Sequence, residues 1–184
     1  MALNQFAVKL LWLILFSCLK MRIVLYYSHP AELKSVINAP LVEEAKKLGN
    51  VKVRWLDELY PNLSMTPEQV SEEQRIIEKA DAVFFQFPVH WYSSPPSLKV
   101  FMDSVLAYGW AYGSKAVIAG KKFRVICTCG GKMEGYGGEF SASDLAKPFN
   151  QSFKFCKCDP LPPFIVFADT DKSTLVDNYL KLFK

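Results

Sequence analysis

The hydrophobic positions of this chain fall into five short apolar runs, each followed by a polar loop and then by a segment with helical spacing. A strand inside a parallel sheet reads as a continuous apolar run because helices cover both of its faces. The runs predict strands at 22–27, 51–56, 82–86, 122–127 and 164–168. The segments between and after them predict helices at about 38–48, 66–79, 95–106, 145–155 and 173–183. This alternation predicts an α/β fold with a parallel sheet between two helical layers.

Local signals indicate where two of the helices begin. Thr66 is a good helix cap, and Pro67 suits the first helical position because its missing N–H would be unpaired there. The third helix has a similar signal, with Ser94 as the predicted cap and Pro95 in the first turn. The charged residues of the second helix, Glu73 among them, are typical of a solvated face, so we assign them no function.

The bulk composition fits one globular domain. The chain has 184 residues, 51% of them hydrophobic and 22% charged, which is enough to build a sizeable core. Its formal net charge of +4 comes from interspersed residues of both signs, so it has no basic footprint typical of nucleic-acid binding. Two histidines leave little room for a histidine-based metal site, and we interpret the five cysteines, an odd number, as reduced thiols.

Residues 1–20 differ from the rest of the chain. An apolar run at 10–19 follows Lys9 and has about the length of a signal sequence, but it is too short to span a bilayer as a regular helix. Our preferred interpretation is that Met21 is the natural start and that residues 1–20 are a mis-assigned extension. A hydrophobic helix lying on the domain or on a membrane surface, and an export signal, are the alternatives. The folded domain is expected to span 21–184.

Three loops that follow strands carry distinctive chemistry. They span 28–38, 87–94 and 128–136 and come after the first, third and fourth strands. In the flavodoxin-like strand order 2-1-3-4-5, the ends of the first and third strands flank the point where the winding direction reverses, and the fourth lies beside them. We therefore predict a three-layer sandwich with a five-stranded parallel sheet in this order, and we expect the three loops to meet at one edge.

Each loop offers a different kind of contact. The first leads into a helix N-terminus, where unpaired N–H groups favour an anion and where Ser35 and Asn38 add side-chain donors. A capped helix with a polar loop explains the same residues equally well. The second loop exposes Trp91 and Tyr92, as binding of a flat aromatic ligand would require. In the third, Gly130 and the glycine after it let the backbone approach a ligand with free N–H groups.

The motifs in combination resemble a known family. They are His29-Pro30, Ser35, Asn38, the run from Pro88 to Lys99, Gly109-Trp110-Ala111-Tyr112-Gly113 and Thr128-Cys129-Gly130-Gly131. Together they resemble the flavodoxin-like NAD(P)H:quinone oxidoreductases, and among these the small bacterial group that includes the KefF-type ancillary proteins of glutathione-gated potassium efflux. The resemblance covers nearly everything from Met21 to the end of the chain.

The resemblance implies a flavin site built from all three loops. The residues that would hold the flavin phosphate are His29, Ser35, Val36, Ile37 and Asn38. Those that would line the isoalloxazine ring, largely through the backbone and the Trp91 side chain, are Pro88, Val89, His90, Trp91 and Tyr92. Those near the pyrimidine end of the ring are Thr128, Cys129, Gly130 and Gly131. Tyr136 is implied as the catalytic residue that hydrogen-bonds the substrate.

The implied activity is the two-electron reduction of quinones. NAD(P)H would pass a hydride to flavin N5, nicotinamide would leave, and a quinone would take the electrons at the same face. FMN is the implied cofactor, with FAD as the alternative. The enzyme would be a cytoplasmic homodimer with the 109–113 loop and Tyr136 near the subunit boundary. The second possible role is that of a flavin-binding regulatory subunit of a membrane potassium antiporter, peripheral at the inner face of the cell membrane.

Some residues depart from the family pattern or permit a rival interpretation. Pro40 follows Asn38 closely, which a helix tolerates only near its start. Cys129 stands where the family has a second threonine, so a hydroxyl is missing. The pairs Cys127-x-Cys129 and Cys156-x-Cys158 raise a thiolate metal site as a rival. The simpler interpretation is that Cys127 belongs to a strand, Cys129 to a loop and the second pair to a helix end, and no metal is expected. His90 is interpreted as a loop residue with a backbone role in preference to a catalytic base.

Overall fold

The computed structural model describes residues 20–184. The interpretation of residues 1–20 as an extension therefore concerns a segment that, apart from Lys20, lies outside the described residues. Between residues 20 and 184, no helix is both long and apolar enough to cross a membrane.

The sheet has the strand order that the sequence predicts. Its strands are β1 (Ile23–Tyr27), β2 (Val51–Trp55), β3 (Ala82–Pro88), β4 (Lys122–Thr128), β5 (Asp159–Pro160) and β6 (Phe164–Val166). The order is β2-β1-β3-β4, and β5 and β6 both pair with β4, every pair being parallel. The strand predicted at 164–168 is β6, which ends at Val166, and the two-residue β5 was not predicted. Pro162 and Pro163 lie between β5 and β6 and lack the N–H groups that a continuous ladder needs.

The helices match the predicted positions with two differences. They are α1 (Asn38–Lys46), α2 (Leu56–Leu59), α3 (Pro67–Lys79), α4 (Pro96–Val105), α5 (Lys147–Phe155) and α6 (Leu175–Leu180), with 3₁₀ turns at Glu32–Lys34, Met133–Tyr136, Ala142–Ala146 and Lys181–Phe183. The short α2 lies in a segment that reads as turns. The predicted cap at Ser94 is wrong, because Pro95 precedes Pro96 and takes an extended conformation with ψ 159°, so that α4 begins one residue later.

Alternating side chains of the strands build two separate cores. Ile23 and Leu25 of β1 pack with α1 and α6 on one face, whereas Val24 and Tyr26 pack with α3, α4 and α5 on the other. The α3–α5 face is rich in rings, and Phe123 and Phe153 stack with centroids 3.7 Å apart. Because both faces are covered, the sheet can meet a ligand at its carboxyl edge, where the loops emerge.

Glu73 does not belong to a solvated face, and that expectation is wrong. Its side chain is 0% exposed and lies beneath α3 against the edge of the sheet. Tyr26 donates its hydroxyl to Glu73 Oε2 at 2.9 Å, and Arg54 donates Nε to Oε1 at 3.0 Å. Tyr60 also donates its hydroxyl to the carboxylate. Which charged side chains of a helix become buried depends on how the helix is rotated against the sheet. The charge pattern of α3 by itself does not reveal this rotation.

Candidate functional site

The three distinctive loops meet in one cavity of about 300 Å³ at the carboxyl edge of the sheet. Its lining residues are His29, Lys34, Ser35, Val36, Ile37, Asn38, Pro88, Val89, His90, Thr128, Cys129 and Gly130. The structure thus brings together the residues predicted to bind a cofactor, except Trp91, Tyr92 and Gly131, which lie outside this lining. Lys34 was missed by the sequence analysis, although its position directly before Ser35 in a predicted anion loop was an available signal.

The first wall of the cavity is the loop from β1 into α1. Within the described residues, the backbone N–H groups of Val36, Ile37 and Asn38 have no hydrogen-bond acceptor. Ser35 Oγ accepts the N–H of Ala39 at 3.0 Å and so caps the helix from outside. Pro40 falls in the first turn of α1, where its missing N–H costs nothing. The result is a helix N-terminus with three free donors facing an opening, which suits an anion.

A histidine and a lysine lie beside this helix end. The His29 Nδ1 atom is buried and has no hydrogen-bond partner among the described residues. Burial, together with the charge of His90, lowers the pKa of His29 from its ordinary value of 6.5. The backbone N–H of His29 donates to Asp57 at 2.7 Å, which holds the start of the loop. Because Lys34 also lines the cavity, an incoming anion meets a lysine and an unsatisfied imidazole.

The second wall is a tight turn after β3. His90 and Ser93 exchange two backbone hydrogen bonds, N to O at 2.8 and 3.0 Å, across Trp91 and Tyr92. Both central residues have left-handed backbone, with φ of 50° and 59°, a conformation that costs a non-glycine residue about 1–2 kcal/mol. The turn leaves the Trp91 side chain 95% exposed. Strain and exposure of this kind fit a surface that meets a ligand or a partner.

The backbone of this second wall is partly used by the protein itself. The N–H of Val89 donates to the carbonyl of Thr128 at 2.8 Å, and the N–H of His90 closes the turn. Within the described residues, the N–H groups of Trp91 and Tyr92 are not paired. Backbone hydrogen bonds to a ring would therefore come from the tip of the turn, whereas Pro88, Val89 and His90 would pack against the ring.

The third wall is the end of β4. The N–H of Cys129 donates to Val166 at 2.7 Å, which keeps the strand regular up to this residue. Beyond it, the N–H groups of Gly130 and Gly131 find no acceptor among residues 20–184. Interaction with the Cys127 side chain, with a smaller contribution from Tyr136, lowers the pKa of the Cys129 thiol. The same interaction between the two cysteines, followed by burial, raises the pKa of Cys127, so Cys127 stays protonated.

Tyr136 lies behind the cavity wall and not in its lining. A Cβ atom on Gly131 would come within 3.2 Å of the Tyr136 ring, so the glycine allows the tyrosine to lie close. The ring also packs against Phe167, with centroids 5.3 Å apart, and faces Tyr92 at 6.3 Å. Burial, followed by interaction with Cys129, raises the pKa of Tyr136. The hydroxyl therefore stays protonated at neutral pH.

Asn38 plays a different part from the free donor expected of it. The side chain is buried, and its Nδ2 donates to Thr128 Oγ1 at 2.7 Å. It therefore ties the first wall of the cavity to the third. Only its backbone N–H remains available to an anion.

The cysteine pairs do not form a cluster with other metal-binding side chains. Across residues 20–184, no group of three or more His, Cys, Asp or Glu side chains is arranged to hold a metal ion. Cys127, Cys129, Cys156 and Cys158 are all buried free thiols. The Cys158 thiol donates to the carbonyl of Ile118 at 3.2 Å, away from the cavity.

Comparison with known proteins adds an independent line of evidence. Residues 21–181 match the sequence model of a family described as having a flavodoxin-like fold. General stress protein 14 of Bacillus subtilis is 38% identical over 153 residues, which cover 80% of this chain and 86% of that protein. The glutathione-regulated potassium-efflux system ancillary protein KefF of Klebsiella pneumoniae is 38% identical over 145 residues, 77% of this chain and 80% of that protein.

A solved structure gives the same picture in three dimensions. General stress protein 14 of Treponema denticola in complex with FMN superposes with a TM-score of 0.78 at 27% identity, and the match covers 88% of this chain and 95% of that chain.

Proposed function

The chain belongs to the family with the flavodoxin-like fold, and from this premise we propose that it is a flavin-dependent NAD(P)H:quinone oxidoreductase that binds FMN. The observation that supports this most is the convergence of three strand-end loops on one cavity with free N–H groups on two of its walls. The FMN complex of the Treponema denticola relative also supports a flavin.

The residues present fit such a cofactor. The volume of about 300 Å³ is at the lower end of the range for small-molecule sites, and the cavity is open to solvent on one side. The N–H groups of Val36, Ile37 and Asn38, with His29 and Lys34, would hold a phosphate. The FMN in the complex of the Treponema denticola relative favours FMN over FAD as the cofactor.

The remaining walls would hold the ring. Pro88, Val89 and His90 offer a flat side, and the N–H groups of Gly130 and Gly131 would donate to its polar edge. A bound flavin supplies the hydride acceptor and donor that side chains lack. The protein would contribute backbone dipoles that stabilise negative charge on the ring, which is electrostatic assistance and not acid–base catalysis.

Tyr136 is proposed to hydrogen-bond the quinone. Its raised pKa keeps the hydroxyl protonated, so it can donate to a quinone oxygen at neutral pH. We expect Tyr136→Phe to lower kcat/KM for a quinone about tenfold, the value of one lost hydrogen bond, without changing the rate of flavin reduction by NAD(P)H. Tyr108→Phe, an exposed tyrosine outside the cavity lining, is the matched control.

We further propose that the functional unit is a homodimer. A groove of about 580 Å³ lies between α4, α5 and the 109–113 loop, with Met102, Leu106, Tyr112 and Phe155 in its lining. Phe155 is 65% exposed, although a large apolar side chain is more stable when covered. Sedimentation of the wild type and of Phe155→Glu tests this, with a dimer and a monomer expected respectively.

The decisive experiment is the absorbance spectrum of the purified protein, followed by the mass of the released cofactor. We expect a flavin spectrum and one FMN for each chain. Anaerobic NADPH should bleach the flavin absorbance and menadione should restore it. A colourless protein that gains no flavin on reconstitution with FMN contradicts the proposal.

The second candidate role is that of an ancillary subunit of a potassium efflux system. The identity to KefF, 38% over 145 residues, favours it. In this role the protein would be cytoplasmic and peripheral at the inner face of the membrane, with an antiporter as its partner. Co-purification with the antiporter and a change in potassium efflux on deletion of this protein test it, and Trp91→Ala tests whether the exposed turn is the contact.

A further inference from the structure

A line of buried polar side chains connects the cavity to the last helix. It runs from Tyr179 on α6 through Gln86 on β3 and Asn38 on α1 to Thr128 at the end of β4, and each residue is at least nine-tenths buried. The Tyr179 hydroxyl donates to Gln86 Oε1 at 2.7 Å, and Gln86 Nε2 donates to Asn38 Oδ1 at 3.2 Å. Asn38 Nδ2 in turn donates to Thr128 Oγ1 at 2.7 Å. We refer to these four residues as the buried relay.

The direction of the buried relay is set by a backbone carbonyl. The carbonyl oxygen of Asn38 lies 3.5 Å from Gln86 Nε2. Because a carbonyl oxygen can accept and cannot donate, the Gln86 atom beside it must be the amide nitrogen. Gln86 Oε1 therefore faces Tyr179, whose hydroxyl has to be the donor. For the same reason Asn38 presents Oδ1 to Gln86 and Nδ2 to Thr128.

This direction decides what the Thr128 hydroxyl can do. Its oxygen is occupied as the acceptor of Asn38, so its proton must find another acceptor. None of the residues from 20 to 184 accepts this proton, and Thr128 lines the cavity. Water or a ligand in the cavity must therefore accept this proton, so an acceptor atom of a ligand can replace the water there.

We propose that Gln86 is a positioning residue that, through Asn38, makes the Thr128 hydroxyl an obligate donor to an acceptor atom of the flavin ring. This inference rests on the proposed function. The ring is favoured over the phosphate because Thr128 pairs in register with Pro88 and its carbonyl holds Val89, so it lies beside the wall that would hold the ring.

Direct substitution of Thr128 tests the donor. Thr128→Val keeps the shape and removes the O–H, whereas Thr128→Ser keeps the O–H. Apoprotein titrated with FMN and with riboflavin, followed by flavin fluorescence, should bind both about tenfold more weakly in Thr128→Val, since one hydrogen bond is lost. Thr128→Ser should bind within about twofold of wild type. A loss confined to FMN would overturn the assignment to the ring.

Two changes in the relay separate positioning from simple support of the fold. Gln86→Met frees the Asn38 amide to turn and accept from Thr128, so flavin affinity should fall several-fold. Tyr179→Phe removes a buried hydrogen bond of the same relay, but the Asn38 carbonyl still orients Gln86, so flavin affinity should stay within about twofold although the melting temperature falls. If both variants lose affinity in proportion to their loss of stability, the relay is only structural and the inference is wrong.

A double-mutant cycle gives the sharpest test. Gln86→Met and Thr128→Val remove the same contact to the flavin, so the double variant should bind about tenfold more weakly, as Thr128→Val does. Independent effects would multiply instead, and that outcome would overturn the inference. The wild type separates failure of this inference from failure of the proposed function. A wild type that binds neither FMN nor riboflavin contradicts the proposed function itself.

Discussion

Two polar regions of this protein differ in how completely their groups are paired. The Glu73 carboxylate is enclosed, and Tyr26, Arg54 and Tyr60 all donate to it. The cavity at the carboxyl edge is lined by polar groups that have no partner within residues 20–184, among them His29 Nδ1 and the N–H of Gly130. Both regions consist of charged or polar residues in the sequence. Of the two, only the cavity has donors and acceptors without a partner among the described residues.

The difference follows from the cost of burying polar groups. Moving a carboxylate from water into a protein costs several kcal/mol unless partners replace the water, so the Glu73 cluster must be complete within the fold. The cavity is open, so water can serve its N–H groups until a ligand replaces it. Completed polar clusters therefore indicate support of the fold, and incomplete clusters at a strand-end opening indicate binding.

Arg54→Met should have the largest effect and tests the enclosed region. It leaves the fully buried Glu73 without its cation, and breaking a buried ion pair in this way costs about 3–5 kcal/mol. The free energy of unfolding in urea measures it. Lys52→Met, an exposed base on the same strand, should cost less than about 0.5 kcal/mol. If Arg54→Met changed flavin affinity more than stability, the distinction between the two regions would fail.

Trp91→Gly should stabilise the fold and tests the open region. Glycine adopts the left-handed backbone of residue 91 without strain, so the free energy of unfolding should rise by about 1 kcal/mol. Thermal unfolding of the apoprotein measures the gain, and quinone turnover should fall because the exposed ring is lost. Val117→Gly, an exposed residue outside the cavity lining, is the control and should not stabilise the protein. A loss of stability in Trp91→Gly contradicts the prediction.

Lys34→Gln should weaken binding of FMN about threefold at low salt, since an exposed lysine near a phosphate contributes less than about 1 kcal/mol. Riboflavin, which lacks the phosphate, should bind equally to both proteins. The difference should fade in 0.5 M salt, where charges are screened within about 5 Å. Lys46→Gln, at the other end of α1, is the control. Equal losses for FMN and riboflavin would show that Lys34 does not meet the phosphate.

Acidification should have the smallest effect and involves His29. Because the folded pKa of His29 lies below its ordinary value of 6.5, the neutral form is favoured in the apoprotein, and folding stability is lost as pH falls from about 6.5 toward the folded pKa. A phosphate would oppose this by favouring the charged imidazole. The ratio of FMN affinities of wild type and His29→Gln should therefore grow a few-fold from pH 8 to pH 6. A flat ratio would place His29 away from the phosphate.

The elements of this fold were predictable because each leaves a local mark. The continuous apolar runs of β1 and β3 require cover on both faces, and α3 begins at Thr66 and Pro67 as their chemistry predicts. The failures have equally local causes. Two adjacent prolines moved the start of α4, and the two-residue β5, which precedes two more prolines, was not predicted. A residue whose effect is local, such as Thr66 at the start of α3, can be interpreted from its neighbours in the sequence, whereas a residue whose partners are distant cannot.

The parallel sheet, its strand order and the loops that carry the chemistry could be predicted from the residues alone, because hydrophobic period and connection length act locally or follow general rules of winding. Three features became visible only in the folded chain: Glu73 is enclosed, Lys34 joins the cavity, and Tyr179 reaches Thr128 through Gln86 and Asn38. These contacts join residues as far apart as β3 and α6. Their geometry depends on how each helix is rotated against the sheet, and packing of the whole core sets that rotation.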